Sequence, residues 1–107
     1  MLATAFVALT MITSSSTPHN SLLQRWTGPN GGWPAFDKVK VADFKPALEA
    51  AMAENLKEID AIANQKDAPT FDNTIVALEK SGQQLAHVQA IYGVWTSNML
   101  SDDMKPV

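Results

Sequence analysis

Residues 43–64, DFKPALEAAMAENLKEIDAIAN, decide the fold. Phe44, Leu48, Met52, Leu56, Ile59 and Ile62 recur every three or four residues, with Ala51 and Asn55 flanking them. That is the period of one helical face. Lys45, Glu49, Glu54, Lys57, Glu58 and Asp60 fall mostly elsewhere, as a solvated face with internal salt bridges would. Asp43 suits an N-cap, and Pro46 falls in the first turn, where a missing N–H costs least. The pattern predicts a helix over about 43–64, roughly 33 Å long at 1.5 Å per residue.

Downstream, Gln65 to Pro69 form a polar connector of the length that joins antiparallel helices. Thr70 or Asp72 can cap a second helix, whose stripe reads Phe71, Ile75, Leu78, Gly82, Leu85, Val88, Tyr92, Trp95 and Met99. The apolar phase passes straight through Ser81 and Gly82, so one helix of nearly thirty residues is expected there. Gly82 would then allow a close neighbour, although an interior glycine costs roughly 1 kcal/mol against alanine. Asp102 and Asp103 read as a polar helix end.

Upstream, residues 20–42 read as a loop with local order. Leu22, Leu23 and Trp26 are spaced like one helical turn, which Gly28 and Pro29 stop. Asn30, Gly31 and Gly32 supply the positive φ of a tight turn. Pro34, Phe36, Val39 and Val41 alternate with polar residues, as an extended segment would. No Gly-Lys-Ser/Thr follows the glycines, so they are not a phosphate loop. The first thirteen residues, MLATAFVALTMIT, carry no charged side chain. They are too short to span a hydrocarbon layer of roughly 30 Å as a helix, but they match the apolar part of a secretory signal. No Lys or Arg precedes them and no A-x-A site closes them. Residues 1–19 are therefore read as a signal-peptide remnant or disordered leader, and residues 20–107 as the folded part. A cleaved signal would place the protein in the periplasm or cell envelope; without one it would be cytoplasmic.

The expected class is all-α: a long antiparallel helical hairpin preceded by an irregular segment and the leader. Two helices can cover one another along a single seam only. At about 25 cal/mol per Å² gained against roughly 1.5 kcal/mol lost per ordered residue, a bare hairpin is marginal. Its surplus apolar faces call for a partner, and self-association through Trp95 and its neighbours is expected. Trp26, Trp33, Phe36 and Phe44 should meet Tyr92 and Trp95 as a plug of loop over the open end of the hairpin, with an aromatic ligand pocket as the alternative.

Composition narrows the function. The net charge is −3 and the eight basic residues are scattered, which argues against a nucleic-acid surface. There is no cysteine, hence no disulfide and no thiolate metal site. His19 and His87 are far apart, and no carboxylate lies one helical turn from His87, which reads as an exposed residue. Glu49, Glu54 and Glu58 could line an edge, but Lys45 and Lys57 interleave with them. No serine or threonine has a visible His and Asp set. Catalytic, cofactor-binding and metal-ligating residues are each expected to be none.

Three segments carry a resemblance: PAFDKVKVADFKPALEAAM at 34–52, PTFDNTIVALEKSG at 69–82 and VQAIYGVWTSNM at 88–99. Over roughly residues 20–103 the chain resembles the N-terminal region of peptidyl-dipeptidases. These are bacterial dipeptidyl carboxypeptidases of the thimet oligopeptidase family of zinc peptidases. The resemblance implies a helical segment opening a large ellipsoid split by a substrate channel, in enzymes that release C-terminal dipeptides from oligopeptides. It also implies zinc held by an H-E-x-x-H helix and a further glutamate, with the metal lowering the pKa of bound water. That motif is absent here, because Val88 follows His87. No family site residue carries over, and the chain alone is expected to be inactive. The function expected is a non-catalytic N-terminal fragment of such an enzyme. The alternatives are a stand-alone helical-hairpin interaction module and a signal-anchored envelope protein.

Overall fold

The computed structural model describes residues 19–107; the leader expected over residues 1–19 lies outside them except for His19. The architecture is all-α. Helix α1 spans Val41–Ala63, α2 spans Ala77–Lys80 and α3 spans Gln83–Asn98, with a π-type stretch over Phe71–Val76 leading into α2. Three short 3-10 turns, Ser21–Leu23, Phe36–Lys38 and Asp102–Met104, shape the flanking segments. The described residues contain no strand, only a single antiparallel bridge between Thr27 and Trp33.

Helix α1 begins two residues earlier than its apolar pattern suggests. Lys40 is the N-cap, and Asp43 sits at the third helical position, where its carboxylate accepts the Lys40 N–H at 3.3 Å. A carboxylate in the first turn also faces the positive end of the helix dipole. Pro46 thus stands at the sixth position, where it removes the N–H that the Ala42 carbonyl would have accepted. The extended run expected over Pro34–Val41 is instead a turn at Phe36–Lys38 that feeds directly into α1.

The connector is as expected. Thr70 Oγ1 accepts the Asn73 N–H at 3.1 Å, and Asn73 Oδ1 accepts the Thr70 N–H at 2.7 Å, a reciprocal cap. The Asn73 amide also donates to the Ala68 carbonyl, and the Gln65 amide reaches the Asn73 carbonyl. The first turns after this cap are wide, and the Ala77 N–H reaches back to the carbonyls of Asp72 and Thr74.

The long continuous second helix is not what forms. Ser81 is extended (φ −74°, ψ 157°) and Gly82 is left-handed (φ 71°), so the chain breaks between α2 and α3. The apolar spacing of the sequence nonetheless runs across the break, which is why periodicity could not reveal it. Glu58 of α1 stabilises the break by accepting the Gly82 N–H at 2.6 Å, a carboxylate at the N-terminus of the sixteen-residue α3. A Cβ on Gly82 would lie 2.9 Å from the Asn55 side-chain nitrogen. The close approach expected of Gly82 is therefore real, but at a kink. Glu58, assigned by sequence to the solvated face, is half-buried at this junction.

Helices α1 and α3 pack antiparallel. Phe44, at the start of α1, meets Tyr92 and Trp95 edge-to-face, with ring centroids at 5.5 and 5.7 Å. The buried face of α1 is Phe44, Ala47 and Ala51, with Leu48 alongside. Met52 and Leu56, predicted to lie in the stripe, are exposed. Alanine wins because small side chains let the neighbouring helix approach, which turns the seam toward them. On α3 the buried residues are Val88, Ile91 and Trp95. Trp95, expected at an association surface, is thus part of the core. Phe71, Ile75, Leu78 and Met99, the outer members of the expected second stripe, are exposed.

The core is completed from outside the hairpin. Leu22 and Val39 enter from the N-terminal segment, and Met104 from beyond α3. Met104 is 2% exposed, on the turn Asp102–Met104. Asp102 and Asp103 thus lie in a separate turn rather than a helix end, and α3 closes at Asn98. Three side-chain bonds tie the leading segment down. Asn20 donates to the Asp43 carbonyl at 2.9 Å, Ser21 to the Lys38 carbonyl at 3.2 Å, and Gln84 to the Leu23 carbonyl at 3.0 Å. No described helix is long and apolar enough to cross a membrane.

Candidate functional site

Three concave features surround this core. The first lies between the leading segment and α3, lined by Leu22, Leu23, Gln24, Arg25, Glu58, Gln83, Gln84 and His87. Here the histidine assigned as exposed is half-buried. The indole of Trp26 stacks on the His87 ring, with centroids 4.1 Å apart and planes 16° from parallel. Glu58 lines the same hollow from α1, so His87 shares it with a carboxylate that does not lie one turn along its own helix. Sequence spacing could not show this, because the two residues are brought together only by hairpin packing. Glu58 is already engaged with the Gly82 N–H, and no serine or threonine lines the hollow to act as a nucleophile.

The second feature is an apolar groove of about 300 Å³ between the glycine-rich loop and α3. Its walls are Trp26, Gly32, Trp33, Pro34, Phe36, Ala90, Ile91 and Val94, none of them charged. The loop is folded tightly on itself. Trp33 N–H donates to the Thr27 carbonyl and Gly32 N–H to the Pro29 carbonyl, both at 3.1 Å. Gly32 has φ 94°, and a Cβ there would lie 2.5 Å from the Trp26 carbonyl carbon, so only glycine fits. The aromatic plug expected over the open end is therefore only partial. Trp26 and Phe44 pack inward, whereas Trp33 is 67% and Phe36 43% exposed.

The third is a shallow cleft where the C-terminal segment returns against α1, lined by Val41, Ala42, Lys45, Pro46, Asp103, Pro106 and Val107. Asp103 accepts from the Ser101 hydroxyl, and Lys105 pairs with Asp102 at 2.6 Å on the exposed surface. Neither contact organises a reaction.

The zinc that the resemblance implies does not fit the described residues. His19 contacts the Gln24 side chain, and His87 lies against Trp26. Among the described residues, no three His, Asp or Glu side chains converge as a ligand set, and a catalytic zinc takes three protein ligands. Of the glutamates considered as an edge, Glu54 pairs with Lys57 at 3.2 Å, an exposed i,i+3 pair. Such pairs contribute little.

No family model matches the chain. Among curated proteins, it is 35% identical over 72 residues to a dipeptidyl carboxypeptidase of Salmonella typhimurium, and equally to one of Escherichia coli. In both cases the match takes in 67% of this chain and 11% of the relative, so the chain spans only a small share of the length of the curated relatives it matches. The protein is thus a helical segment related to the dipeptidyl carboxypeptidases.

Proposed function

We propose that these residues form the opening, non-catalytic helical part of a dipeptidyl carboxypeptidase-like zinc peptidase. In the full-length enzyme, C-terminal dipeptides would be released from oligopeptides by groups that lie elsewhere. The observation that carries this reading is the 72-residue match to two enzymes of that name, in a chain whose His87, Glu58 and Glu54 are engaged in stacking, capping and surface pairing. The role of the segment is architectural. It offers a preformed helical hairpin whose core is closed by its own flanking segments, and it leaves apolar surface for the rest of the enzyme to cover. Should residues 1–19 act as a secretory signal, the parent enzyme would work in the cell envelope.

The test is direct. The purified chain, with and without added zinc, should release no dipeptide from a blocked tripeptide or tetrapeptide. Chelator-sensitive dipeptide release by the chain alone would overturn the reading.

The second reading, a stand-alone interaction module, is favoured by one observation: the core recruits Leu22 and Met104 from outside the hairpin, as a self-sufficient unit would. A sharp, concentration-independent thermal transition of a monomer would support it.

A further inference from the structure

The exposed apolar residues of this chain are not equivalent. Leu56, Ile75 and Leu78 project from helix surfaces or from the wide turns before α2. Trp33, Phe36 and Val94 instead border a concavity with built walls. Four features hold that concavity open. Gly32 occupies a position that no other residue fits, the Thr27–Trp33 bridge fixes the two stems of the loop, Trp26 is clamped on His87, and Ile91 forms a buried floor on α3. A loop with such support does not leave a tryptophan 67% exposed by fraying. Large exposed aromatics on rigid scaffolds are the commonest anchors of protein interfaces.

We propose that this groove is the socket for an uncharged, apolar side chain on the surface of the remaining body of a dipeptidyl carboxypeptidase-like enzyme. The inference rests on the function proposed above and adds the place where the segment meets that body. Three observations choose the occupant. The lining has no charged group, so a charged side chain entering it would lose its hydration without a partner. The matched segment is 11% of its relatives, so roughly nine-tenths of such an enzyme lies outside it and must contact it somewhere. A volume of about 300 Å³ is at the small end of the range for binding clefts, which suits an inserted side chain better than a whole ligand.

The test co-expresses the full 107-residue chain with the Escherichia coli relative from which the matching segment has been deleted. Association is read by co-purification and titration, and function by dipeptide release. Wild-type chain should restore soluble, active enzyme. Trp33→Glu and Val94→Glu should each weaken association at least tenfold, with helix content unchanged by circular dichroism. Lys57→Gln, at an exposed polar position of α1, should bind within twofold of wild type. If both groove variants bind like wild type, the socket is overturned but the peptidase-segment reading stands. Failure of even the wild-type chain to associate overturns the socket and counts against that reading. A homodimer of the isolated chain that Trp33→Glu abolishes, with no binding to the relative, would give the groove to a second copy and overturn the proposal.

Discussion

The two ends of the hairpin are built differently. At the open end, the start of α1 and the end of α3 bury Phe44, Ala47, Ala51, Val88, Ile91 and Trp95, and Leu22, Val39 and Met104 add to them from the flanking segments. At the closed end, around the connector, Leu56, Phe71, Ile75 and Leu78 are each more than half exposed. The hydrophobic residues are of the same kind at both ends; the number of layers differs. Two helices meet along one seam, and only a third segment can cover what the seam leaves open. The leading turn and the C-terminal turn supply that third layer at one end, while nothing in the described chain supplies it at the other.

This contrast can be broken by substitution. The largest effect should come from Phe44→Ala, which removes a fully buried ring from between Tyr92 and Trp95. The expected loss is about 3–5 kcal/mol by urea denaturation, enough to unfold a small domain. Next, Met104→Ala should cost about 2–5 kcal/mol. A loss below about 1 kcal/mol would mean that the C-terminal turn is a passive appendage, and the contrast between the ends would weaken.

The junction between the ends should respond less. Gly82→Ala places a Cβ in a left-handed conformation, at about 1–2 kcal/mol, and presses on Asn55. Combining it with Asn55→Ala should recover only the part due to crowding, because the backbone strain remains. Glu58→Gln keeps the shape but removes the charge from the α3 N-terminus, and about 1 kcal/mol should be lost. At the closed end, Leu56→Lys should change stability by less than about 0.5 kcal/mol. A large loss there would show that the closed end has a core of its own.

The sequence by itself determined the class of fold, both helix-bearing segments, the connector with its Thr70 cap, the positive-φ turn at Asn30, Gly31 and Gly32, and the resemblance to dipeptidyl carboxypeptidases. Each of these is local or is carried by consecutive residues. Periodicity states that a face is apolar, but not which part of a wide face another element reaches. Met52 and Leu56 were therefore indistinguishable in sequence from Phe44, and the quiet alanines 47 and 51 did not stand out as the seam. Only the tertiary structure decided the break at Gly82, because Glu58 from the other helix caps the new N-terminus while the apolar phase runs on unbroken. It alone also decided the burial of Trp95 and Met104, the stacking of His87 on Trp26, and the groove beneath Trp33. All of these join residues distant in the chain, and their geometry is set by where the flanking segments fold back rather than by any spacing within them.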